Sequence, residues 1–203
     1  MGEATVNHGV RSLALPTLAM VIVVVASNIL VHFQINDWLT WGAFTFPFAF
    51  LVTDLSNRAF GPAKAARVVL VGFVVGIAMS AVFSDWMPFE APNILSQVAI
   101  LTAVASGSAF LAGQFLDIAI FQRLRRRVWW MAPLVSSAVS SALDTVVFFY
   151  LLFAVFFPEW GLNWFQLGIG DYAVKAIMAL TLLAPYRALM GLFAPQLFKP
   201  RSA

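Results

Sequence analysis

The sequence predicts an all-α integral membrane protein with six transmembrane helices. Its composition is the first indication, since 62% of the 203 residues are hydrophobic and only 10% are charged, whereas about a quarter of residues in soluble proteins are charged. The second is a series of apolar segments of roughly 20 residues or more, each long enough to cross a bilayer. The third is the confinement of basic residues to alternate loops between these segments.

The six segments follow one another with short polar connections. Their expected bounds are 13–33, 41–58, 66–84, 96–121, 132–157 and 169–193. The first is longer than the apolar core of a signal peptide, about 7–15 residues, so we interpret it as an uncleaved helix. Because no linker or repeat separates the segments, we expect residues 1–203 to form a single transmembrane domain.

Two prolines lie inside predicted spans, Pro47 in the second and Pro185 in the sixth. Proline has no backbone N–H, and its ring collides with the preceding helical turn. We therefore expect each proline to kink or locally unwind its helix. In a membrane, the carbonyls freed in this way are tolerated where they face protein or a wet cavity.

The charges of the loops predict the orientation of the chain. Basic residues lie in the second and fourth loops and in the C-terminal tail: Arg58, Lys64, Arg67, Arg123, Arg125, Arg126, Arg127, Lys199 and Arg201. The other loops carry only acidic charges: Asp37, Asp85, Glu90 and Glu159. Since basic loops stay in the cytoplasm, we expect both termini on the cytoplasmic side.

A polar ladder inside the fourth span is the main indication of a binding site. Ser106, Phe110, Gln114 and Asp117 step by four, four and three residues and so share one face of a helix. A polar face in lipid must turn toward protein or water. Gln114 is the better candidate for a ligand contact, because Asp117 lies nearer the cytoplasmic end, where Arg123 is a possible partner.

Asp144 is the clearest intramembrane charge, near the middle of the fifth span. A charge there costs about 2.5–3.5 kcal/mol, so it requires a reason. Asp144 could accept hydrogen bonds from the N–H groups of a substrate or carry a proton. Alternatively, it could form a structural ion pair with Lys175, which is itself able to reach Asp144 or to extend toward the membrane surface.

Three more polar residues are candidates for the same site. Asp54 lies about one turn inside the second span, where either substrate binding or pairing with Arg58 would explain it. Asn57 follows one turn later. Asn28 is a mid-membrane amide of the first span, a type of residue that more often joins helices than binds a ligand.

Several classes of function are not supported. The chain has no cysteine, no metal-ligand cluster, no nucleotide-binding loop and no serine–histidine pair, so we expect no cofactor, no metal and no enzymatic activity. The basic residues lie in loops rather than on one surface, so no nucleic acid is expected. Small residues in 72–80 would permit contact between copies of the chain, a possible homo-oligomer.

The residues resemble a known family. Residues 47–57 (PFAFLVTDLSN), Phe60-Gly61-Pro62 and the run 105–117 are similar to the bacterial queuosine-precursor transporters, formerly grouped with vitamin uptake transporters. Further matches are Ser27-Asn28, Trp129-Trp130, Ser136-Ser137, Asp144-Thr145 and Gly170-Asp171 with Lys175. One departure is Arg58, where many members carry glutamate.

The resemblance implies import of 7-cyano- or 7-aminomethyl-7-deazaguanine across the bacterial inner membrane. It also implies six membrane helices like those of the substrate-binding components of energy-coupling-factor importers. In that case Asp144 or Asp54 would accept from the donor edge of the base, and Gln114 with Asn57 or Asn28 would complete the pattern. Phenylalanines such as Phe110 or Phe148 would stack on the ring.

Two other functions stay open at this point. The chain could be the substrate-binding subunit of an ATP-driven importer for a vitamin-like or nucleobase-like molecule. It could also be a structural membrane protein whose polar residues only join helices. Transport by the chain alone, without ATP, distinguishes the permease from both.

Overall fold

The computed structural model describes most of the chain. The described stretches are 3–31, 33–36, 39–86 and 94–193. Within them, side chains are described at 13–31, 33, 35, 39–79 and 100–190. The described α-helices, in chain order, are α1 (Glu3–Leu30), α2 (Gly42–Thr45), α3 (Pro47–Phe60), α4 (Pro62–Trp86), α5 (Ile94–Leu124), α6 (Met131–Tyr150), α7 (Trp164–Thr181) and α8 (Leu183–Phe193).

Five of the described segments are long and apolar enough to cross a membrane, which makes the chain a multi-pass membrane protein. They are Leu13–Leu30, Pro62–Met79, Ile100–Leu124, Met131–Phe156 and Trp164–Met190. These segments match the first, third, fourth, fifth and sixth spans expected from the sequence. The last begins at Trp164 rather than at residue 169, so Lys175 lies about 16 Å along it at roughly 1.5 Å per residue.

The second predicted span differs from the others, because it is divided into α2 and α3. Neither helix alone is long enough to be a candidate span. The interruption is at Phe46, and Pro47 occupies the first turn of α3, where its missing N–H costs little. The break expected from Pro47 is therefore confirmed.

Pro185 has the same effect on the last span. The helix is interrupted at Leu182, between α7 and α8. Pro185 cannot donate to the carbonyl of Thr181, four residues earlier, and its ring crowds that turn. The predicted local unwinding is confirmed, and it lies a few residues before the proline.

The connections are short. The first contains an antiparallel pair of strands, β1 (Gln34–Asn36) and β2 (Leu39–Thr40). After α6, a π-helical segment (Leu151–Phe156) and a 3₁₀ turn (Pro158–Trp160) lead to α7. Four charged residues used to predict the orientation lie outside the described residues: Asp37, Glu90, Lys199 and Arg201.

Helix α3 lies at the centre of the bundle. It packs against α1, α4, α5, α6, α7 and α8. Its buried residues include four polar ones: Thr53, Asp54, Ser56 and Asn57. By contrast, large apolar side chains on the outer helices are exposed, as expected of surfaces that face lipid. A helix of only 14 residues thus brings the polar groups to the core.

The small residues of α4 pack within the chain. A Cβ added at Gly72 would lie 2.6 Å from Cγ of Met20 in α1, and one added at Gly76 would lie 3.3 Å from Val24. The two helices approach each other closely because these positions have no side chain. The glycines that suggested contact between copies are therefore used in the packing of α1 on α4.

Candidate functional site

Two hollows lie among the membrane helices. The first, which we call the central hollow, lies between α3, α6, α7 and α8, and its polar and aromatic lining includes Phe50, Asp54, Ser137, Ser141, Lys175 and Tyr186. It encloses about 310 Å³ of space between atoms, but only about 10 Å³ is free for the centre of a water molecule. That is room for roughly one water, so the hollow is contracted in this conformation.

The second hollow, which we call the lateral hollow, lies between α1, α4 and α5. Its lining is mainly apolar, and Asn28, Phe73, Ser106 and Phe110 belong to it. It encloses about 350 Å³, of which about 30 Å³ is free for the centre of a water molecule. Its lining contains no described carboxylate or ammonium group.

Asp54 is the buried carboxylate of the central hollow. Only 1% of its surface is exposed. The hydroxyl of Ser136 donates to Oδ1 at 3.3 Å, and that of Ser137 donates to Oδ2 at 3.3 Å. Both serines lie in the first turns of α6, so the start of that helix holds the carboxylate in place. These two bonds leave further acceptor capacity on both oxygens.

Two hydrogen bonds join α3 to α5 on either side of Asp54. The hydroxyl of Thr53 donates to Oε1 of Gln114 at 2.6 Å. One turn later, Nδ2 of Asn57 donates to the carbonyl of Ile118 at 3.1 Å. The predicted polar face of α5 thus meets the polar face of α3.

Asp117 lies between these two bonds, next to Asp54. It is completely buried, and its carboxyl group faces that of Asp54. Among the described side chains, none donates to either of its oxygens with good hydrogen-bond geometry, although the hydroxyl of Ser136 lies nearby. Oδ1 of Asn57 is likewise without a donor. A buried acceptor without a donor costs about 1–3 kcal/mol, and more when it is charged.

The arginine in the last turn of α3, Arg58, does not pair with these carboxylates. Nε of Arg58 donates to the hydroxyl of Tyr186 at 3.0 Å, and its NH1 donates to the carbonyl of Arg125 at 2.6 Å. Its guanidinium lies over the ring of Phe121, 5.0 Å from the centroid. Arg58 therefore joins α3 to α8 and to the loop after α5, and the structural pairing considered for Asp54 is not formed.

Lys175 is held by two carboxylates. Its Nζ lies 2.6 Å from Oδ2 of Asp144 and 2.6 Å from Oδ2 of Asp171. The hydroxyl of Thr145 accepts from Lys175 at 3.2 Å and donates to Asp171 at 2.8 Å. We call these four residues the lysine cluster. The ion pair that was one interpretation of Asp144 is thus formed.

The predicted site residues fall into three groups. Asp54, Asn57, Gln114 and Asp117 meet at the contact of α3 with α5, whereas Asp144 and Lys175 form the lysine cluster between α6 and α7. Asn28 and Phe110 line the lateral hollow. Asp54 and Lys175 are the two that share the central hollow.

Sequence reasoning did not single out Thr53, Ser136, Asp171 or Tyr186 as site residues. A signal existed for Asp171, because it lies four residues before Lys175 and so shares its helix face. Thr53 and Ser136 carry no such signal, since their roles depend on which faces α3, α5 and α6 turn toward each other. Tyr186 is typical of apolar spans and gives no sign of its bond to Arg58.

Comparison with known proteins identifies the family. A family described as "Putative vitamin uptake transporter" matches residues 40–189. The chain is 32% identical over 196 residues to the "Queuosine precursor transporter" of Escherichia coli strain K12, covering 89% of this chain and 87% of that protein. It is 37% identical over 154 residues to the "Probable queuosine precursor transporter" of Haemophilus influenzae, covering 72% and 66%. No solved structure matches the chain.

The matched region, 40–189, runs from the end of the first loop almost to the end of α8, so it contains α2 to α7 and the whole lining of the central hollow. It therefore includes the carboxylates of the core and the helices that position them. The chain is a multi-pass membrane transporter and belongs to the vitamin uptake transporter family.

Proposed function

We propose that this protein imports queuosine precursors of the 7-deazaguanine type across the bacterial inner membrane. Three of its relatives are named as transporters, or probable transporters, of a queuosine precursor. The same resemblance follows from the motifs around Asp54 and Asp117. A bundle of apolar helices around buried polar groups is the arrangement that a polar solute needs to cross a lipid layer.

We place the substrate in the central hollow. The observation that carries this assignment is the carboxylate of Asp54, which is buried in the wall of the hollow and is held by two serine hydroxyls without a basic partner. A carboxylate with free acceptor capacity can accept from two N–H groups of a guanine-like edge. The ring of Phe50, on the preceding turn of α3, lines the same space and offers an apolar face to a planar base.

The remaining predicted residues take supporting positions in this proposal. Asn57, Gln114 and Asp117 lie behind Asp54 and fix α3 on α5. Asp144 is connected to the hollow through its ion pair with Lys175, which is one of the lining residues. Asn28 and Phe110 would contact the substrate only on a route through the lateral hollow.

Binding requires a conformational change, because the free space of the central hollow admits about one water molecule. The contact of Arg58 with Tyr186 joins α3 to α8 beside this space. Tyr186 also lines the hollow, so separation of this contact would widen it. In this proposal the structure is the contracted state of a transporter that opens by movement of α8.

We further propose that the chain is one domain, 1–203, with six membrane crossings and both termini in the cytoplasm. In this arrangement α2 and α3 together form the second crossing. The contact of Arg58 with the carbonyl of Arg125 supports it, because it brings the second and fourth loops to the same side. The likeness to substrate-binding components of energy-coupling-factor importers belongs to the same proposal.

The test is counterflow in liposomes that contain this protein alone and no ATP. Vesicles loaded with unlabelled 7-cyano-7-deazaguanine should exchange it for labelled compound. Asp54→Asn should lower the rate by roughly 10-fold or more, because it removes a charged acceptor worth about 1.5–3 kcal/mol. Glu159→Gln, an exposed acid outside the bundle, is the matched control and should exchange normally.

Two results would contradict the proposal. If exchange requires a separate ATP-driven module, the chain is a binding subunit and not a permease. If Asp54→Asn exchanges normally while Phe110→Ala does not, the substrate lies in the lateral hollow. The 7-aminomethyl compound, measured in parallel, shows which deazaguanine form is preferred.

A further inference from the structure

Asp117 has no role in the substrate site described above. It lies behind Asp54 and does not line the central hollow. It is nevertheless a completely buried carboxyl group with two oxygens that have no donor. Such a group is costly to retain in a membrane helix, so its presence requires a ligand or a partner that the described side chains do not supply.

The contact between Asp54 and Asp117 is fixed by the helices on which they lie. The bond from Thr53 to Gln114 and the bond from Asn57 to the carbonyl of Ile118 clamp α3 to α5 on both sides of the pair. The two carboxyl groups therefore face each other as long as these helices stay together. Ser136 and Ser137 close the pair on the side of α6.

The basic groups near the pair are engaged elsewhere or directed away from it. On α3, Nε and NH1 of Arg58 bind Tyr186 of α8 and the carbonyl of Arg125. Its third nitrogen, NH2, is buried without an acceptor and forms no hydrogen bond with either carboxylate. On α7, Lys175 is held by Asp144 and Asp171.

At the start of α4, Lys64 lies over the ring of Phe60, and Arg67 is exposed. On α8, the guanidinium of Arg187 lies over the ring of Trp129. Within the described residues, no salt bridge joins Asp54 or Asp117 to an ammonium or guanidinium group.

Two carboxyl groups in contact away from water hold one proton between them, because two negative charges at that distance repel strongly. Binding of a proton between the two carboxyl groups requires no additional space. A metal cation would instead need several oxygens at roughly 2.0–2.6 Å from one point, and the described residues contain no group of three or more His, Cys, Asp or Glu side chains that could hold one. The oxygen without a donor on Asn57, at the same level, is able to accept a hydrogen bond from the protonated pair.

We propose that Asp54 and Asp117 form the binding site of a proton that is transported together with the substrate. This inference rests on the proposed function and adds the driving force for transport, which is the proton gradient. Before the substrate binds, the two carboxyl groups share the proton. When the N–H groups of the base approach Asp54, the proton moves to Asp117, and Asp54 becomes the charged acceptor.

The proton is released toward the cytoplasm in the same cycle. Asp54 lies six residues before the end of α3 at Phe60, and Asp117 lies seven residues before the end of α5 at Leu124. At about 1.5 Å per residue, both are about 9–10 Å from the basic ends of their helices. One proton taken from the outer solution accompanies one neutral base and is returned to water inside.

The experiment uses the same liposomes as the counterflow test and varies the proton gradient across their membrane. In sodium-free buffer, an inward proton gradient of one pH unit should drive accumulation of labelled 7-cyano-7-deazaguanine toward about tenfold at one proton per substrate. Vesicles without the gradient should reach equal concentrations inside and outside. A sodium gradient at constant pH should have no effect.

Asp117→Asn keeps the shape of the side chain but cannot share the proton. It should lose accumulation driven by the proton gradient while counterflow, which moves no net proton, is still detectable. Asp117→Glu should restore part of the accumulation, and Glu159→Gln should accumulate normally. Counterflow in the Asn variant also shows that it is folded and inserted.

The outcomes separate this inference from the proposed function. If counterflow is absent even in the unmodified protein, the proposed function fails. If counterflow is present but the proton gradient drives no accumulation, the proton site is refuted and transport is facilitated diffusion. Accumulation driven by sodium, or full accumulation by Asp117→Asn, would equally overturn it.

Discussion

The two carboxylate clusters of the membrane helices differ in how their charge is balanced. In the lysine cluster, one ammonium lies 2.6 Å from each of two carboxylates, and Thr145 bonds to both Lys175 and Asp171. At the contact of α3 with α5, Asp54 and Asp117 face each other with no basic partner. In the first cluster both carboxylates have a basic partner without any ligand, whereas in the second the carboxyl oxygens can accept further hydrogen bonds. Burial alone therefore does not distinguish a structural charge from a functional one. The ion pairs and hydrogen bonds that the charged group forms do distinguish them.

Replacement of Lys175 by Met should have the largest effect on stability. The variant leaves Asp144 and Asp171 unpaired in the membrane, and removing one partner of a buried ion pair costs about 3–5 kcal/mol. We expect a much lower thermal midpoint in detergent and poor insertion. Lys64→Met, at the more accessible start of α4, is the matched control.

A compensated variant tests the interpretation of this loss. Lys175→Met combined with Asp144→Asn and Asp171→Asn removes all three charges and should recover most of the stability. If the triple variant is as unstable as Lys175→Met, packing of the lysine stem and not its charge holds α6 against α7.

Replacement of Asp117 by Asn should have the opposite effect and should raise the stability of the protein. The amide removes a buried carboxyl group that forms no salt bridge with a described basic group, so we expect the free energy of unfolding to rise by about 1–3 kcal/mol. Thermal unfolding in detergent, with Glu159→Gln for comparison, measures this change. A clear loss of stability would mean that Asp117 has a partner in the folded protein, and the contrast between the clusters would disappear.

Removal of the Thr53 hydroxyl tests the clamp that holds the carboxyl pair together. Thr53→Val leaves Oε1 of Gln114 without its donor, and we expect a loss of about 1–2 kcal/mol. Thr181→Val is the matched control, because that hydroxyl is exposed and bonds within its own helix. Unfolding midpoints that fall equally in both variants would refute a special role for the bond from α3 to α5.

The smallest effect is expected at Tyr186, which lies between the carboxyl pair and the arginines. Tyr186→Phe removes the acceptor of Nε of Arg58 and should cost about 0.5–1.5 kcal/mol. If this contact closes the hollow, the variant should also exchange substrate faster. Tyr150→Phe, on the exposed face of the end of α6, provides the comparison for stability, and an unchanged exchange rate in Tyr186→Phe would separate the contact from gating.

The helical spans were predictable because hydrophobic length is a property of the sequence itself. The two helix interruptions were likewise predictable from Pro47 and Pro185, because the missing backbone N–H of a proline affects only the nearby helical turn. The early start of α7 was missed, because Trp164 and Gln166 interrupt the apolar pattern although Asn163 caps the helix by accepting from the N–H groups of Phe165 and Gln166. A capping side chain can begin a helix before the apolar run does.

The site was less predictable than the helices. The spacing of Ser106, Phe110, Gln114 and Asp117 places them on one side of α5, yet the first two line the lateral hollow and the last two face α3. Over a helix this long, a single polar face meets different neighbours along its length. Asp171 and Lys175 were within reach of a spacing argument, whereas the contact of Asp54 with Asp117 depends on the rotation of α3, which no local pattern determines.

The interruption at Leu182 has a mechanical consequence. Because Pro185 has no N–H, the carbonyl of Thr181 has no helical donor. The backbone ladder therefore has one bond fewer there, although the bonds from Leu182 to Met178 and from Tyr186 to Leu182 are kept. The span thus consists of two helical segments joined at a weakened point, with Lys175 in the first segment and Tyr186 in the second. The segment before the interruption can stay anchored by the lysine cluster while the segment after it moves, so the space beside Asp54 can change its volume without any loss of ion pairing.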